Sequence, residues 1–211
     1  MVLTCALVLV ILTGDLSGIE AQTTDAASVS HRLKHGFRNL DSSYSYSMLG
    51  RAGRLVARIG QWSRPRGKPL TLTENDGRAI RANGTEPTAT WVGHSTFLIQ
   101  LDGVNILTDP HWSERASPLS FAGPRRMIPP WLRFEDLPPI QAVIISHDHY
   151  DHLDEATVRR LARAHPAAVF IVPLGHGSLL ADFGVKRVIE LDWWESVTLG
   201  DLTFVCTPAQ H

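Results

Sequence analysis

The sequence predicts an α/β sandwich in which antiparallel hairpins come first and β-α-β units follow. Three observations carry that reading. Short β-rich runs flank tight-turn dipeptides at Asp102-Gly103 and Gly200-Asp201, which marks hairpins. Between those hairpins, apolar runs at residues 141–145, 168–172 and 187–191 alternate with helical segments, which marks crossover units and argues against a doubly wound sheet. Finally, 211 residues with 44% apolar and 19% charged side chains suffice to bury one core with a short extension.

Residues 2–12 form an apolar run of signal-peptide length, too short to span a bilayer comfortably. Residues 1–21 are therefore expected to be a signal peptide or membrane anchor, and the protein to be exported or membrane-associated, with the cytoplasm as the alternative. Residues 22–87 read as an extension. Within it, residues 48–62 carry Leu49, Ala52, Leu55, Val56 and Ile59 at helical spacing, opposite Arg51, Arg54 and Arg58. Such a basic amphipathic helix packs on the domain with a solvated arginine face, or lies on an anionic membrane surface.

The domain proper is expected over residues 88–211. "TATWVGHSTFLIQLDGVNILTDP" reads as three strands, and residues 111–139 as a long proline-rich loop of the kind that forms lids and binding sites. A strand at 141–145 follows. Asp154 is placed to cap a helix through "EATVRRLARAH". A strand at 168–172, a short helix over 178–183 stopped by Gly184, a strand at 187–191 and a final hairpin complete the order. The formal net charge of −1 argues against a nucleic-acid partner. Cys5 and Cys206 make no disulfide framework and no metal-type pair.

The chemistry concentrates in "SHDHYDHL", residues 146–153, directly after the apolar strand run "QAVII". Imidazole and carboxylate are ligands for zinc, and for iron or manganese at related sites. The spacing His-x-His-x-Asp-His suits a loop at a strand end, where successive side chains fan around a point. Four ligands in six residues exceed what one tetrahedral ion takes from such a loop. A metal pair fits better, with His147 and His149 on one ion and Asp151 and His152 on the other, the ions roughly 3.5–4 Å apart around a shared oxygen nucleophile. The sequence holds no G-x-S-x-G elbow for a covalent route.

"HDHYDHLD" resembles the signature of the metallo-β-lactamase superfamily. Its flanks "TWVGHSTFLIQLDGVNILTDP", "RASPLSFAGPRR", "LPPIQAVIISHDHYDHLD", "FIVPLG", "VIELDWWE" and "TFVCTPAQH" resemble, in that order, the branch of phospholipases D that hydrolyse N-acylphosphatidylethanolamine. The resemblance implies an αββα sandwich with mainly its N-terminal half present. It implies that His147, His149 and His211 hold one zinc ion, that Asp151 and His152 hold a second, and that Asp151 orients the nucleophile or handles the leaving-group proton. Asp109 is read as steadying a ligand histidine from behind. His94 reads either as doing the same or as a core histidine. His31, His35, His111, His165 and His176 are expected at the surface.

The implied reaction is zinc-dependent phosphodiester hydrolysis of a phospholipid. The alternatives are a hydrolase of the same fold acting on a lactone or other ester, and an inactive fragment. Arg125 and Arg126 can pair with a phosphate. The tryptophans of "DWW" are read as core packing rather than a substrate wall. The family's second zinc also needs a downstream aspartate and a later histidine that these 211 residues lack, so the resemblance implies the N-terminal part of a longer enzyme.

Overall fold

The structure is a computed structural model that describes residues 5–12, 21–22, 32–33, 36–37, 73 and 75–209. Its strands are β1 (Cys5–Leu12), β2 (Ala21–Gln22), β3 (Arg32–Leu33), β4 (Gly36–Phe37), β5 (Thr88–Gly93), β6 (Thr96–Leu101), β7 (Val104–Thr108), β8 (Ala142–Ile144), β9 (Val169–Pro173), β10 (Val188–Leu191), β11 (Ser196–Leu199) and β12 (Leu202–Ala209). Its helices are α1 (Arg78–Ala82), α2 (Glu155–Ala164) and α3 (Gly177–Asp182).

Strands β10-β9-β8-β7-β6-β5 form one six-stranded sheet in that order, and β1-β12-β11-β2 form a second. The β5–β6–β7 meander is antiparallel, whereas β7, β8, β9 and β10 run parallel. That change of direction follows from the connections: a two-residue turn joins β6 to β7, but the β8-to-β9 link carries a helix.

The strand period of two divides the side chains between two cores. Ile106, Ala142, Ile144, Val169 and Ile171 face Val197, Leu202, Phe204 and Cys206 of the smaller sheet. Their alternates Leu107, Val143, Phe170 and Val172 pack against Val158 and Leu161 of α2 and Leu180 of α3. Slipping β8 by one residue would exchange the two sets, so its register is doubly specified. The Cys206 thiol, enclosed between the sheets, is pushed up to about 12 by burial, with Asp192 and Glu195 adding to it.

Two elements differ from their sequence reading. Residues 111–139 are far from structureless: Leu132, Phe134 and Leu137 are buried in the helix-side core, and a 3-10 turn spans Phe134–Asp136. The packed unit also begins before Thr88. Ile80 of α1 joins that core, and Arg81 Nη1 donates to both Oδ1 and the carbonyl of Asp136 at 3.0 Å. Gly77 makes this approach feasible, since a Cβ there would lie 2.8 Å from the Asp136 Cβ. The apolar run at residues 5–12 provides β1, antiparallel to β12 from Cys5↔Ala209 to Leu12↔Leu202.

Among the described residues no helix is long and apolar enough to cross a membrane. The amphipathic segment at 48–62, His31, His35 and His211 lie outside the described residues. Of the two tryptophans, Trp193 packs against the inter-sheet core and Trp194 is exposed.

Candidate metal centre

The parallel register aligns the C-terminal ends of β7, β8 and β9: Thr108 lies opposite Ile144, and Ile144 opposite Ile171. The loops leaving those ends therefore open on one edge of the sheet, the edge where α/β sheets place ligands. Asp109 N donates to the Ile144 carbonyl at 2.8 Å, which sets the Asp109 side chain beside Ser146. The loop then folds back on itself, with His152 N and Leu153 N both donating to the His149 carbonyl at 2.9 and 2.7 Å. Buried Leu153 pins the turn to the core. This return brings Asp151 and His152 alongside His147 rather than strung out along the surface.

The donor atoms converge in two groups. His147 Nε2 and His149 Nδ1 lie 3.0 Å apart. In the second group His94, Asp151 and His152 each offer one atom, all within 4.8 Å of one another, with His94 Nε2 at 2.9 Å from Asp151 Oδ2. The His147 and His152 rings, with centroids 4.1 Å apart, join the groups. This donor set, imidazole nitrogens with one carboxylate, fits zinc or a related divalent ion.

Asp109 organises the cluster from beneath. Its buried carboxylate accepts from Ser146 N at 2.7 Å, from Ser146 Oγ at 2.8 Å and from His152 Nδ1 at 2.8 Å. The His152 contact turns Nε2 towards Asp151, 3.6 Å from its Oδ2. Asp109 adopts a φ of +38° at the strand end. For a residue with a Cβ that conformation is strained, and here it coincides with the site.

The electrostatics follow from the same contacts. Burial lowers the pKa of His152, but the hydrogen bond and charge of Asp109, with the charge of Asp151, outweigh it and the net shift is upward. For Asp151 burial pushes upward, and the His152 charge and the His94 hydrogen bond reverse the sign, leaving the carboxyl below its usual range.

His94, read from sequence as either a supporting or a core histidine, is half exposed with a φ of +51° and stands against Asp151. Arg125 is engaged with Glu114 in an exposed ion pair. Arg126 instead turns inward. Its guanidinium contacts both the carbonyl and Nδ1 of His111, the latter at 2.6 Å, and no carboxylate of the described residues lies within ion-pair distance. Gly93 gives it room: a Cβ there would lie 2.7 Å from Arg126 Nη1.

His111 is not the surface residue expected from its sequence context. It is buried, because Pro110 and the Thr96 hydroxyl, which accepts from His111 N at 3.1 Å, fold the start of the long loop over the sheet end. Burial lowers its pKa, partly countered by Asp154, with Arg126 adding to the lowering. His165 and His176 are half-buried, one accepting from Ile140 N and the other bonded to the Pro173 carbonyl.

Asp154 also departs from its expected role. It occupies the N-cap position of α2 without bonding the helix backbone. Its carboxylate accepts from Trp112 N, Ser113 N, Ser113 Oγ and Thr157 Oγ1 at 3.2, 2.9, 2.8 and 2.6 Å. The buried N–H groups of the long loop need an acceptor more than a solvated helix end does. Sequence spacing carried no signal of that pairing.

Between these loops lies a cavity of about 670 Å³ walled by Trp91, Met127, Ile128 and Pro129, and lined also by His111, Arg126, His94, His149 and Asp151. It is an apolar chamber with a cation and the cluster in its wall, the composition of a small-molecule site.

Comparison with known proteins accords with this geometry. A family described as Beta-lactamase superfamily domain matches residues 104–211. An uncharacterized protein of Mycobacterium tuberculosis is 41% identical over 201 residues, covering 89% of this chain and 53% of its own. The N-acyl-phosphatidylethanolamine-hydrolyzing phospholipase D 1 of Caenorhabditis elegans is 46% identical over 132 residues, 58% of this chain and 37% of that protein. A UPF0173 metal-dependent hydrolase of Caldivirga maquilingensis is 30% identical over 122 residues, 57% of this chain and 47% of that protein. The chain thus spans about half the length, or less, of these relatives.

Proposed function

Because the chain belongs to the beta-lactamase superfamily, we propose that its strand-end cluster is part of a two-zinc hydrolase centre acting on a phosphodiester of the N-acylphosphatidylethanolamine kind. The observation that carries this is the convergence of His147 with His149, and of Asp151 with His152 and His94, at the wall of an apolar cavity that also presents Arg126. The relative from Caenorhabditis elegans supports the substrate class through its name, and the relative from Caldivirga supports metal dependence.

His147 and His149 would hold one ion, with His211 as their partner, and Asp151 and His152 the other. Ions in such a site supply Lewis acidity and a water nucleophile at neutral pH. The chain's own residues do the rest. Asp109 fixes the tautomer and direction of His152, as a carboxylate behind a ligand histidine does. Asp151 orients the attacking water or receives the proton bound for the leaving group. The apolar wall of Trp91, Met127 and Ile128 takes up lipid chain, and Arg126 faces the phosphate charge. Exposed Leu119, Phe121 and Met127 on the same loop would meet a membrane surface, consistent with a membrane-associated or exported protein.

The test is a substrate panel on zinc-loaded protein, with N-acylated and plain phospholipids on one side and lactones and simple esters on the other. Release of phosphatidic acid from the phospholipids is the expected result. Cleavage of lactones with none of phospholipids overturns the substrate and favours a different hydrolase of the same family.

A further inference from the structure

The long loop brings together two groups that the metal centre does not use. Guanidinium nitrogens can only donate, so the 2.6 Å contact from Arg126 Nη2 requires His111 Nδ1 to be the acceptor. A neutral imidazole with an accepting Nδ1 carries its proton on Nε2. That Nε2 is buried and has no hydrogen-bond partner, in a residue only 5% exposed that lines the cavity shared with His94, His149 and Asp151. A buried donor without an acceptor is costly in a finished core and common where a ligand supplies the missing atom. Beside it the Arg126 guanidinium meets only carbonyl and imidazole acceptors, with Asp154 acting on it from beyond ion-pair distance, so the missing atom is best an anionic oxygen.

We propose that His111 is a specificity-determining residue: held in its Nε2–H tautomer by Arg126, it donates to an anionic oxygen of the phosphodiester while the guanidinium balances that oxygen's charge. This rests on the phosphodiesterase reading and extends it to residues no metal would touch. A neutral donor and a cation side by side favour a singly charged diester over an uncharged ester, because the anionic oxygen gains more from the adjacent charge. Arg126 has a second duty as the group that sets the tautomer, and Gly93 is the position that admits it.

The probe is dimethyl phosphate, titrated into the zinc-loaded full chain carrying nitrogen-15 histidine. Before ligand, the His111 resonances should show the proton on Nε2. In His111→Phe the affinity for dimethyl phosphate should weaken about tenfold, the loss of one hydrogen bond to a charged acceptor. His111→Gln, whose amide donates, should recover most of it. A proton found on Nδ1, an affinity in His111→Phe within about twofold of the parent, or no saturable binding to the parent protein each overturns the proposal. The tautomer is read on the unaltered chain, so the test survives a variant that fails to fold. Substrate turnover is a separate arm: binding through His111 with cleavage of lactones alone would overturn the phosphodiesterase reading and leave His111 as an anion donor.

Discussion

Two loops leave the same edge of the sheet and place functional groups by opposite means. The loop after β8 is short and self-contained: His147, His149, Asp151 and His152 stand within six residues, and one tight turn folds them together. The loop after β7 is three times as long and contributes by reach, carrying Asp109 at its start, His111 two residues on and Arg126 fifteen residues beyond that. The short loop supplies the atoms that would hold metal. The long one supplies the support beneath it and the chamber wall beside it. Groups that converge within a short segment are thus separated from groups spread over a long one, so the two can be damaged independently.

The sharpest way to break that separation is Asp109→Asn, because Asp109 is where the long loop supports the short one. An amide can keep one acceptor, but its NH2 must oppose either Ser146 N or His152 Nδ1, depending on which way it turns. Zinc affinity measured by competition with a chelator should fall about 100-fold. Unchanged affinity would mean that the two loops are not coupled through this carboxylate.

A smaller effect is expected from Asp154→Ala, which strands the Ser113 N–H at the root of the long loop, while Trp112 N keeps the Thr157 hydroxyl at 2.9 Å. Urea unfolding should show about 2 kcal/mol lost, less than the full value of the bonds because water can reach the half-buried Ser113. Metal stoichiometry should be unaltered. If zinc content falls with stability, the loops do not divide the labour as described.

The smallest effect lies at the far end of the long loop. Asp136 accepts from Arg133 Nε at 2.6 Å and from Arg81 Nη1 at 3.0 Å, tying the loop to α1. The Arg133 hydrogen bond, opposed by burial and aided by Arg81, holds its carboxyl below the usual 3.8. A depressed folded-state pKa gives stability that is complete above the unfolded value and fades as pH falls through the folded one. Asp136→Asn should therefore melt below the parent at neutral pH, with the gap closing under acid conditions below 3.8. A gap independent of pH would assign the loss to packing.

The same contrast explains what could be read from the chain before its structure. The β5–β7 meander and the β8–α2–β9 unit were legible because each is local, with period-two alternation or a helix between buried strands. The convergence of residues 147–152 was legible because their spacing sets them on one strand-end loop. His111 was not, since its meaning depends on Arg126, and a histidine beside a proline is otherwise an ordinary loop residue. Asp154 was half legible: its position at the start of α2 was right, but the N-cap pattern says nothing of competing donors arriving from residues 112 and 113. The partnership of β1 with β12 joins Cys5 to Ala209, and an apolar run without alternation reads equally well as the core of a signal peptide.

The central claim is that the loop after β8 is a metal centre, and zinc content tests it most directly. Elemental analysis of the zinc-loaded protein should find bound metal in the parent and the loss of the ion shared by His147 and His149 in His149→Ala, with the fold intact by circular dichroism. Zinc content that is the same in His149→Ala as in the parent would contradict the account.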